Sequence, residues 1–299
     1  MKFRAHETFF IRRGWLRKGI KNILRNPYVF VSKDVNPMDT LGIGANMVKA
    51  LRYWLQAVGL SEEPSKGKRA QTLTRFGEII NNYDPYMEEI GTLWLLHYKL
   101  ATNEELATSW YFFFNEFRLN EFSRDDFFVH LNNSLRIKGE SVAARSIDDD
   151  FNCIISTYIS RALLSPSKFN PEENIDSPLG ELGLLDIVNK KERIYKKCSP
   201  GKDLLHPLLL LAVILDQANG EKSIRISSIQ NDPKNAGKVF NLDIVLLINL
   251  LYKLDLLGFL KVVRTAGLDV VELHTDLDFY SCIEEYYCRI DKVQGYHYV

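Results

Sequence analysis

The sequence predicts a mainly α-helical fold with short β-hairpins, in which winged helix-turn-helix modules flank a helical middle domain. Three observations carry this expectation: a basic N-terminal stretch holding a two-sided helix near residues 45–58, aromatic-rich helical periodicity through the middle, and an ordered run of helix, strand, helix, helix and hairpin near the end. At 299 residues the chain has length for two or three domains. The expected modules are 1–85, a basic winged-helix DNA-binding module; 86–175, a helical middle module; and 176–299, a C-terminal winged-helix-like module.

In the first module, Trp15 to Leu24 reads as a helix that ends near Asn26-Pro27, and Tyr28 to Val31 as a strand or loop. Leu41-Gly42-Ile43-Gly44 leads into a helix from Ala45 to Val58, stopped by Gly59. At about 100° per residue, Met47, Val48, Leu51, Trp54, Leu55 and Val58 cluster on one side of that helix. Ala45, Lys49, Arg52 and Gln56 lie opposite, with Asn46 and Tyr53 beside them. One face is made to pack, and the other offers cations, amides and a phenol, as a recognition helix does; an ordinary amphipathic surface helix has the same pattern. The flank Arg12, Arg13, Arg17, Lys18, Lys21 and Arg25, and the loop Lys66, Lys68 and Arg69, favour DNA. Residues 61–72, polar, basic and containing Gly and Pro, read as a mobile wing or loop.

In the middle module, Gly91 to Leu100 reads as a buried helix. Asn103 is placed as the N-cap of a helix running through Leu106 to Phe117. Phe112, Phe113, Phe114 and Phe117 suit a base-stacking platform, but the surrounding acids favour core packing. Ser123 caps a further helix through Leu135. Asp148-Asp149-Asp150 is expected at a helix N-terminus, ahead of the apolar Phe151 to Ile159.

After the turn-rich 165–178 segment, Leu204 to Leu215 reads as a core helix and Ser223 to Ile226 as a strand. Ser227 to Gln230 opens a short helix, and Leu242 to Leu257 a long one. Phe259 to Arg264 and Leu268 to Leu273 form a hairpin about Thr265-Ala266-Gly267. The long helix is apolar nearly all round, so it is expected to be buried, in a structural or protein-docking module rather than a DNA reader.

Charge divides the chain. Residues 1–80 hold 15 Lys+Arg against 6 Asp+Glu, a net +9, leaving 23 basic and 32 acidic residues elsewhere. The first part attracts a polyanion and the remainder does not. The apolar run at Leu204 to Leu215 is too short to span a bilayer, and Met1 to Glu7 has no apolar run behind its charges. Cys153, Cys198, Cys282 and Cys288 lack CxxC spacing, so neither a zinc site nor a disulfide framework is expected, and a cytoplasmic location fits.

Hydrolysis of a phosphodiester needs a nucleophile, usually metal-held water, supported by carboxylates or His. HExxH, GxxxxGK[ST] and HNH-like patterns are missing from the sequence, and no metal ligand set is assigned. Gly42 and Gly44 read as a backbone turn into a helix whose first amides face outward for a phosphate. His6 and Glu7, polar and beside the basic segment, are the catalytic candidates. The opposing reading is structural, since adjacent side chains on an extended segment diverge. Asp148, Asp149 and Asp150 suit Mg²⁺ in principle and a helix cap in practice.

Several strings together carry a resemblance: His6-Glu7-Thr8-Phe9, Gly14-Trp15-Leu16-Arg17-Lys18-Gly19, Leu41 to Val48, Arg52-Tyr53-Trp54, Gly91-Thr92-Leu93-Trp94-Leu95-Leu96-His97, and Thr265-Ala266-Gly267-Leu268. The ordered set spans most of the chain and resembles the SspB-like family of bacterial DNA phosphorothioation. The chain departs from the family at Ala45, usually lysine there, and at Asp269-Val270, often Arg-Gln. The resemblance implies double-stranded DNA as a ligand and partners in sulfur transfer: a cysteine desulfurase, a PAPS-reductase-like protein and an ATPase. It also implies a role in anti-phage defence and nicking of DNA, with Mg²⁺ or Mn²⁺ as cofactor if the chain nicks. Two readings stay open: a metal-dependent nickase, and a non-catalytic adaptor that holds DNA and docks the sulfur-transfer proteins. A transcriptional regulator is a third reading, disfavoured by the implied partners.

Overall fold

Glycine and proline set the first boundaries. Gly14, at φ 79°, opens helix α1 (Trp15–Arg25), which ends at Asn26 before Pro27. In this computed structural model the described residues are 1–295 apart from 33, 35, 65, 66, 68, 165–175, 202, 266 and 267. They divide into two units, Met1–Cys198 and Ser199–Val299.

In the first unit, Asn36 caps the short α2 (Pro37–Leu41) by accepting from the Met38 amide at 3.1 Å. Gly42 takes the left-handed turn that aims the chain into α3 (Ala45–Ala57). Both α1 and α2 pack against α3. The segment 61–73 is closed by two-residue strands, β1 (Ser61–Glu62) and β2 (Thr72–Leu73), paired antiparallel. Thr74 caps α4 (Arg75–Tyr83) through the Gly77 amide. Residues 28–31 form a turn rather than a strand.

The core of this unit surrounds α5 (Ile90–Thr102), buried at nearly every position. Asn103 does not open the next helix. It follows α5, accepts from the Leu106 amide at 3.0 Å, and reaches the Ala57 carbonyl. The aromatic segment is α6 (Thr108–Tyr111) running into a π-helical turn, Phe112–Glu116. Then come β3 (Glu121–Phe122), α7 (Arg124–Ile137), α8 (Ala144–Tyr158), α9 (Arg161–Leu164), a 3₁₀ turn at Pro178–Leu182, β4 (Leu185–Asn189) and β5 (Ile194–Lys197). Residues 185–197, expected in the third module, complete a sheet of order β3-β5-β4 in the first unit. The Phe112, Phe113, Phe114 and Phe117 rings are all buried, Phe112, Phe113 and Phe117 against Phe122 or Phe127 and Phe114 against His97 and Tyr158, so they are core and not a stacking surface. Lys197 closes the π-helical turn, its ammonium donating to the carbonyls of Phe113 and Phe117 at 2.6 Å each.

The second unit begins its helices with α10 (Pro207–Gln217), where His206 is the cap and Pro207 the first residue. It continues with β6 (Ser223–Arg225), α11 (Ile226–Asn231), α12 (Ala236–Val239), α13 (Ile244–Leu256), β7 (Leu260–Thr265), β8 (Leu268–Leu273) and α14 (Phe279–Gly295). The sheet order is β6-β8-β7, antiparallel throughout. One expectation is corrected here: α13 is not buried all round. Packing by α10 and β7 covers Leu246, Leu247, Leu250, Leu251 and Leu254, while Ile244, Val245, Tyr252 and Leu256 are exposed. Among the described residues, no helix is long and apolar enough to cross a membrane.

Candidate nucleic-acid interface

The cations of the N-terminal segment do not share one fate. On α1, Trp15, Leu16, Gly19, Ile20 and Ile23 face inward. At about 100° per residue, Arg17, Lys18, Lys21 and Arg25 fall within one outward arc. Arg17 stacks its guanidinium over the Tyr86 ring, 3.4 Å from the centroid. The side chains of Lys18, Lys21 and Arg25 make no hydrogen bond or ion pair to any described residue. Just before the helix, Arg12 lies over the rings of Phe9, Phe10 and Trp15, and Arg13 pairs with Glu181.

Helix α3 shows the expected packed side, with Val48, Leu51, Trp54 and Leu55 buried. Its polar side is largely occupied. Arg52 is a two-pronged partner of Glu63, Nε to Oε1 at 2.5 Å and Nη2 to Oε2 at 2.8 Å, and Gln56 donates to the same carboxylate at 3.0 Å. Glu63 follows β1, so Arg52 ties the hairpin to α3. Lys49 is exposed between Asn46 (3.4 Å) and Glu7 (3.8 Å). Tyr53, expected beside the polar face, is buried, and its hydroxyl donates to the Leu106 carbonyl at 3.0 Å. Arg69 is exposed; Lys66 and Lys68 lie outside the described residues.

The catalytic candidates separate in space. His6 is 1% exposed and sits in a cage of Trp54 (stacked, centroids 5.9 Å apart), Trp110 and Tyr53. Its Nε2 is 2.8 Å from Asp150 Oδ1, and the Thr8 amide donates to its Nδ1 at 3.1 Å. Asp150 also accepts from the Arg4 amide (2.8 Å) and from Ser109 Oγ (2.6 Å). The turn that delivers the imidazole holds Arg4, Glu7 and Thr8 at φ 55°, 50° and 69°, unfavourable for side-chain-bearing residues. Glu7 points to Lys49 instead of sharing the cage with His6.

The charge state of His6 follows from this geometry. Burial lowers its proton affinity, while Cys153 and Asp150 raise it, which by charge alone would carry a ring free to protonate on either nitrogen to about 10. A second proton, however, belongs on Nδ1, where the Thr8 amide already directs its hydrogen. That amide requires a lone pair, so the ring is the neutral tautomer with its hydrogen on Nε2, donated to Asp150.

The acid triplet is not at a helix N-terminus. Helix α8 starts at Ala144, because residues before the triplet already take helical geometry, and Asp148–Asp150 fall in its second turn. They point apart: Asp148 toward Arg124 (3.7 Å), Asp149 toward Arg4 (2.8 Å), and Asp150 inward. A divalent cation asks for several converging oxygens. Among the described residues, no group of three or more His, Cys, Asp or Glu is placed to hold one, and both Asp150 oxygens already accept hydrogen bonds. Asp148, Asp149 and Asp150 therefore do not converge on a common cation site.

Of the cations that the sequence offers to DNA, Arg12, Arg13, Arg17, Lys49 and Arg52 have internal partners. Nothing in the spacing marks Glu63 as the acceptor for Arg52, or Ser109 and Asp150 as partners in the His6 cluster. Helical periodicity does find the α1 arc, including Lys21 and Arg25.

The fold and site define a class: a mainly helical protein of two units, the first presenting an open cationic helix beside a closed imidazole–aromatic core. The chain belongs to the family described as protein of unknown function (DUF4007), whose model matches residues 3–287. Two solved structures resemble it. An SspB crystal structure is 27% identical with a TM-score of 0.84, covering 96% of this chain and 88% of that chain. A magnesium ion-bound SspB crystal structure is 26% identical, with the same TM-score and coverage. No curated protein matches the chain. The SspB-like resemblance carried by the sequence strings thus extends to the fold. Three of those strings meet in space: His6 stacks on Trp54, the Phe9 carbonyl accepts from Trp54 Nε1 at 2.8 Å, and α1 packs on α3.

Proposed function

We propose that the chain is the DNA-binding component of a bacterial DNA phosphorothioate modification and anti-phage defence system, acting in the cytoplasm. The observation that carries this reading is the near full-length likeness to SspB, joined to a helix whose cations are held outward on a packed scaffold. Each unit has an element order that suits a winged helix-turn-helix. In the first, α1, α2 and α3 precede the β1–β2 hairpin; in the second, α10, β6, α11, α13 and the β7–β8 hairpin follow in turn.

Two roles are compatible with DNA binding, and a different observation favours each. The exposed apolar side of α13 (Ile244, Val245, Tyr252, Leu256) suits an adaptor that docks protein partners, for which the sulfur-transfer proteins are the candidates. The magnesium-bound SspB structure favours a nickase that hydrolyses a phosphodiester bond with Mg²⁺ or Mn²⁺. In that role the ligand set is not among the groups described above, and His6 enters as a support for the fold rather than as a proton shuttle.

Purified protein, supercoiled plasmid and Mg²⁺ or Mn²⁺ decide between the roles. Metal-dependent conversion to open circles, abolished by EDTA, establishes nicking. Salt-sensitive binding without conversion establishes the adaptor. Failure to bind duplex DNA at low salt overturns the whole reading.

A further inference from the structure

We propose that α1, and not α3, is the surface that takes the phosphate backbone of duplex DNA, through Lys18, Lys21 and Arg25 with Arg17 at its edge; this rests on the DNA-binding reading above. A winged arrangement directs attention to α3, whose charges look available in the sequence. The structure leaves little of that set: Arg52 is held by both oxygens of Glu63, and Lys49 remains a single exposed cation with the Glu7 carboxylate 3.8 Å away. A phosphate competing for Arg52 would have to displace a bidentate carboxylate that is itself only partly exposed.

Helix α1 has the opposite character. It carries no acidic residue, and Lys21 and Arg25 are exposed, with Lys18 half-exposed. From Arg17 to Arg25 the cations cover roughly 12 Å of helix axis, at 1.5 Å per residue. A duplex presents a negative charge about every 1.7 Å of its own axis, so such a row meets several phosphates. The row is also rigidly mounted. A Cβ on Gly19 would lie 2.5 Å from Leu55 Cδ1, so the absence of a side chain there lets α1 sit close against α3. Tyr86 carries the Arg17 guanidinium over its ring at one edge of the row.

The charge pattern alone also suits an anionic membrane surface. The packing favours nucleic acid, because a membrane-surface helix inserts its apolar side, and here that side (Trp15, Leu16, Ile20, Ile23) is buried within the protein.

The test uses the full chain, a labelled duplex of mixed sequence, and titrations between about 50 and 200 mM salt. The triple variant Lys18→Gln, Lys21→Gln, Arg25→Gln changes only outward side chains, and its folding is checked by circular dichroism and melting. Loss of three phosphate contacts lowers the slope of log affinity against log salt by about 2.7. The matched variant Lys49→Gln keeps the wild-type slope. A triple variant that folds and retains wild-type affinity and slope overturns the proposal while leaving DNA binding intact. A slope lost in Lys49→Gln instead returns the contact to α3 and also overturns it. Wild-type protein that ignores duplex DNA removes the DNA-binding reading and this inference with it. If such protein pellets with phosphatidylserine vesicles in a manner that needs the three cations, the surface is a lipid headgroup site.

Discussion

Replacing Asp150 tests both the packing logic of the first unit and the charge state of His6. In Asp150→Ala, three donors lose their acceptor: the Arg4 amide, His6 Nε2 and Ser109 Oγ. The His6 and Ser109 groups are fully enclosed, so water does not replace the carboxylate. Leaving these two enclosed donors unsatisfied costs about 1–3 kcal/mol each, or roughly 2–6 kcal/mol together. For a unit of this size, 1 kcal/mol corresponds to roughly 2–4 °C, so about 4 kcal/mol lowers the melting temperature by roughly 8–16 °C. Asp150→Asn separates the electrostatic part. With a neutral imidazole, the Asn carbonyl oxygen accepts from Arg4 and His6, and its amide donates to Ser109, whose hydroxyl hydrogen must find another acceptor. That exchange costs about 1 kcal/mol. With an imidazolium, the same variant strands a buried charge and costs nearly as much as alanine.

The assay is urea or thermal unfolding of wild type, Asp150→Ala and Asp150→Asn, with wild type repeated across pH. A charged His6, with its value raised from 6.5 to about 10, adds stability in full below 6.5 that is lost as the pH rises toward 10. A neutral ring shows no such loss. Refutation is therefore specific: Asn as damaging as Ala, together with a His6-dependent fall in stability between 6.5 and 10, shows that the Thr8 amide does not set the tautomer.

Three other outcomes are expected. Gly77→Ala puts a Cβ 2.0 Å from the Leu60 carbonyl oxygen, so α4 must shift; unfolding experiments register a loss of about 1–3 kcal/mol or more. Ser123→Ala removes the capping box of α7, costing about 1 kcal/mol in denaturant titrations. In wild type, hydrogen bonds from Ser123 hold Asp126 below its ordinary 3.8, so this stabilisation is present above that pH and fades as the pH falls; Ser123→Ala moves the Asp126 titration, followed by NMR, back up. The double variant Val245→Asp, Leu256→Asp adds charge to exposed positions of α13, so melting stays near wild type while the docking proposed for the adaptor role, read as co-purification with sulfur-transfer proteins, is lost; unchanged co-purification removes α13 from that role.

Periodicity and punctuation made much of the fold legible. The helices at residues 15–25 and 45–57 are bounded by Gly14, Pro27, Gly44 and Gly59, local signals that need no long-range partner. The hairpin at 260–273 was legible for the same reason, as two alternating β-branched runs about a glycine-containing turn. Legibility failed where distance along the chain was large. The β3-β5-β4 sheet joins residue 121 to residue 196, and no local pattern announces that pairing. The acidic triplet of α8 has the composition of a cap, yet it lies in the second turn, with its third member turned inward to a histidine far away in sequence.

The same division holds for the site. By itself the sequence determined that positive charge is concentrated in the first 80 residues and that Arg17, Lys18, Lys21 and Arg25 share one side of a helix, since charge and a period near 3.6 are properties of the chain. Which cations remain available depends on long-range packing. Arg52 and Lys21 are alike on a helical wheel, both cations facing outward, yet one meets Glu63 eleven residues on and the other meets solvent. The same packing makes His6 a closed support, because burial and the direction of one backbone amide are set by how α3, α6 and α8 come together.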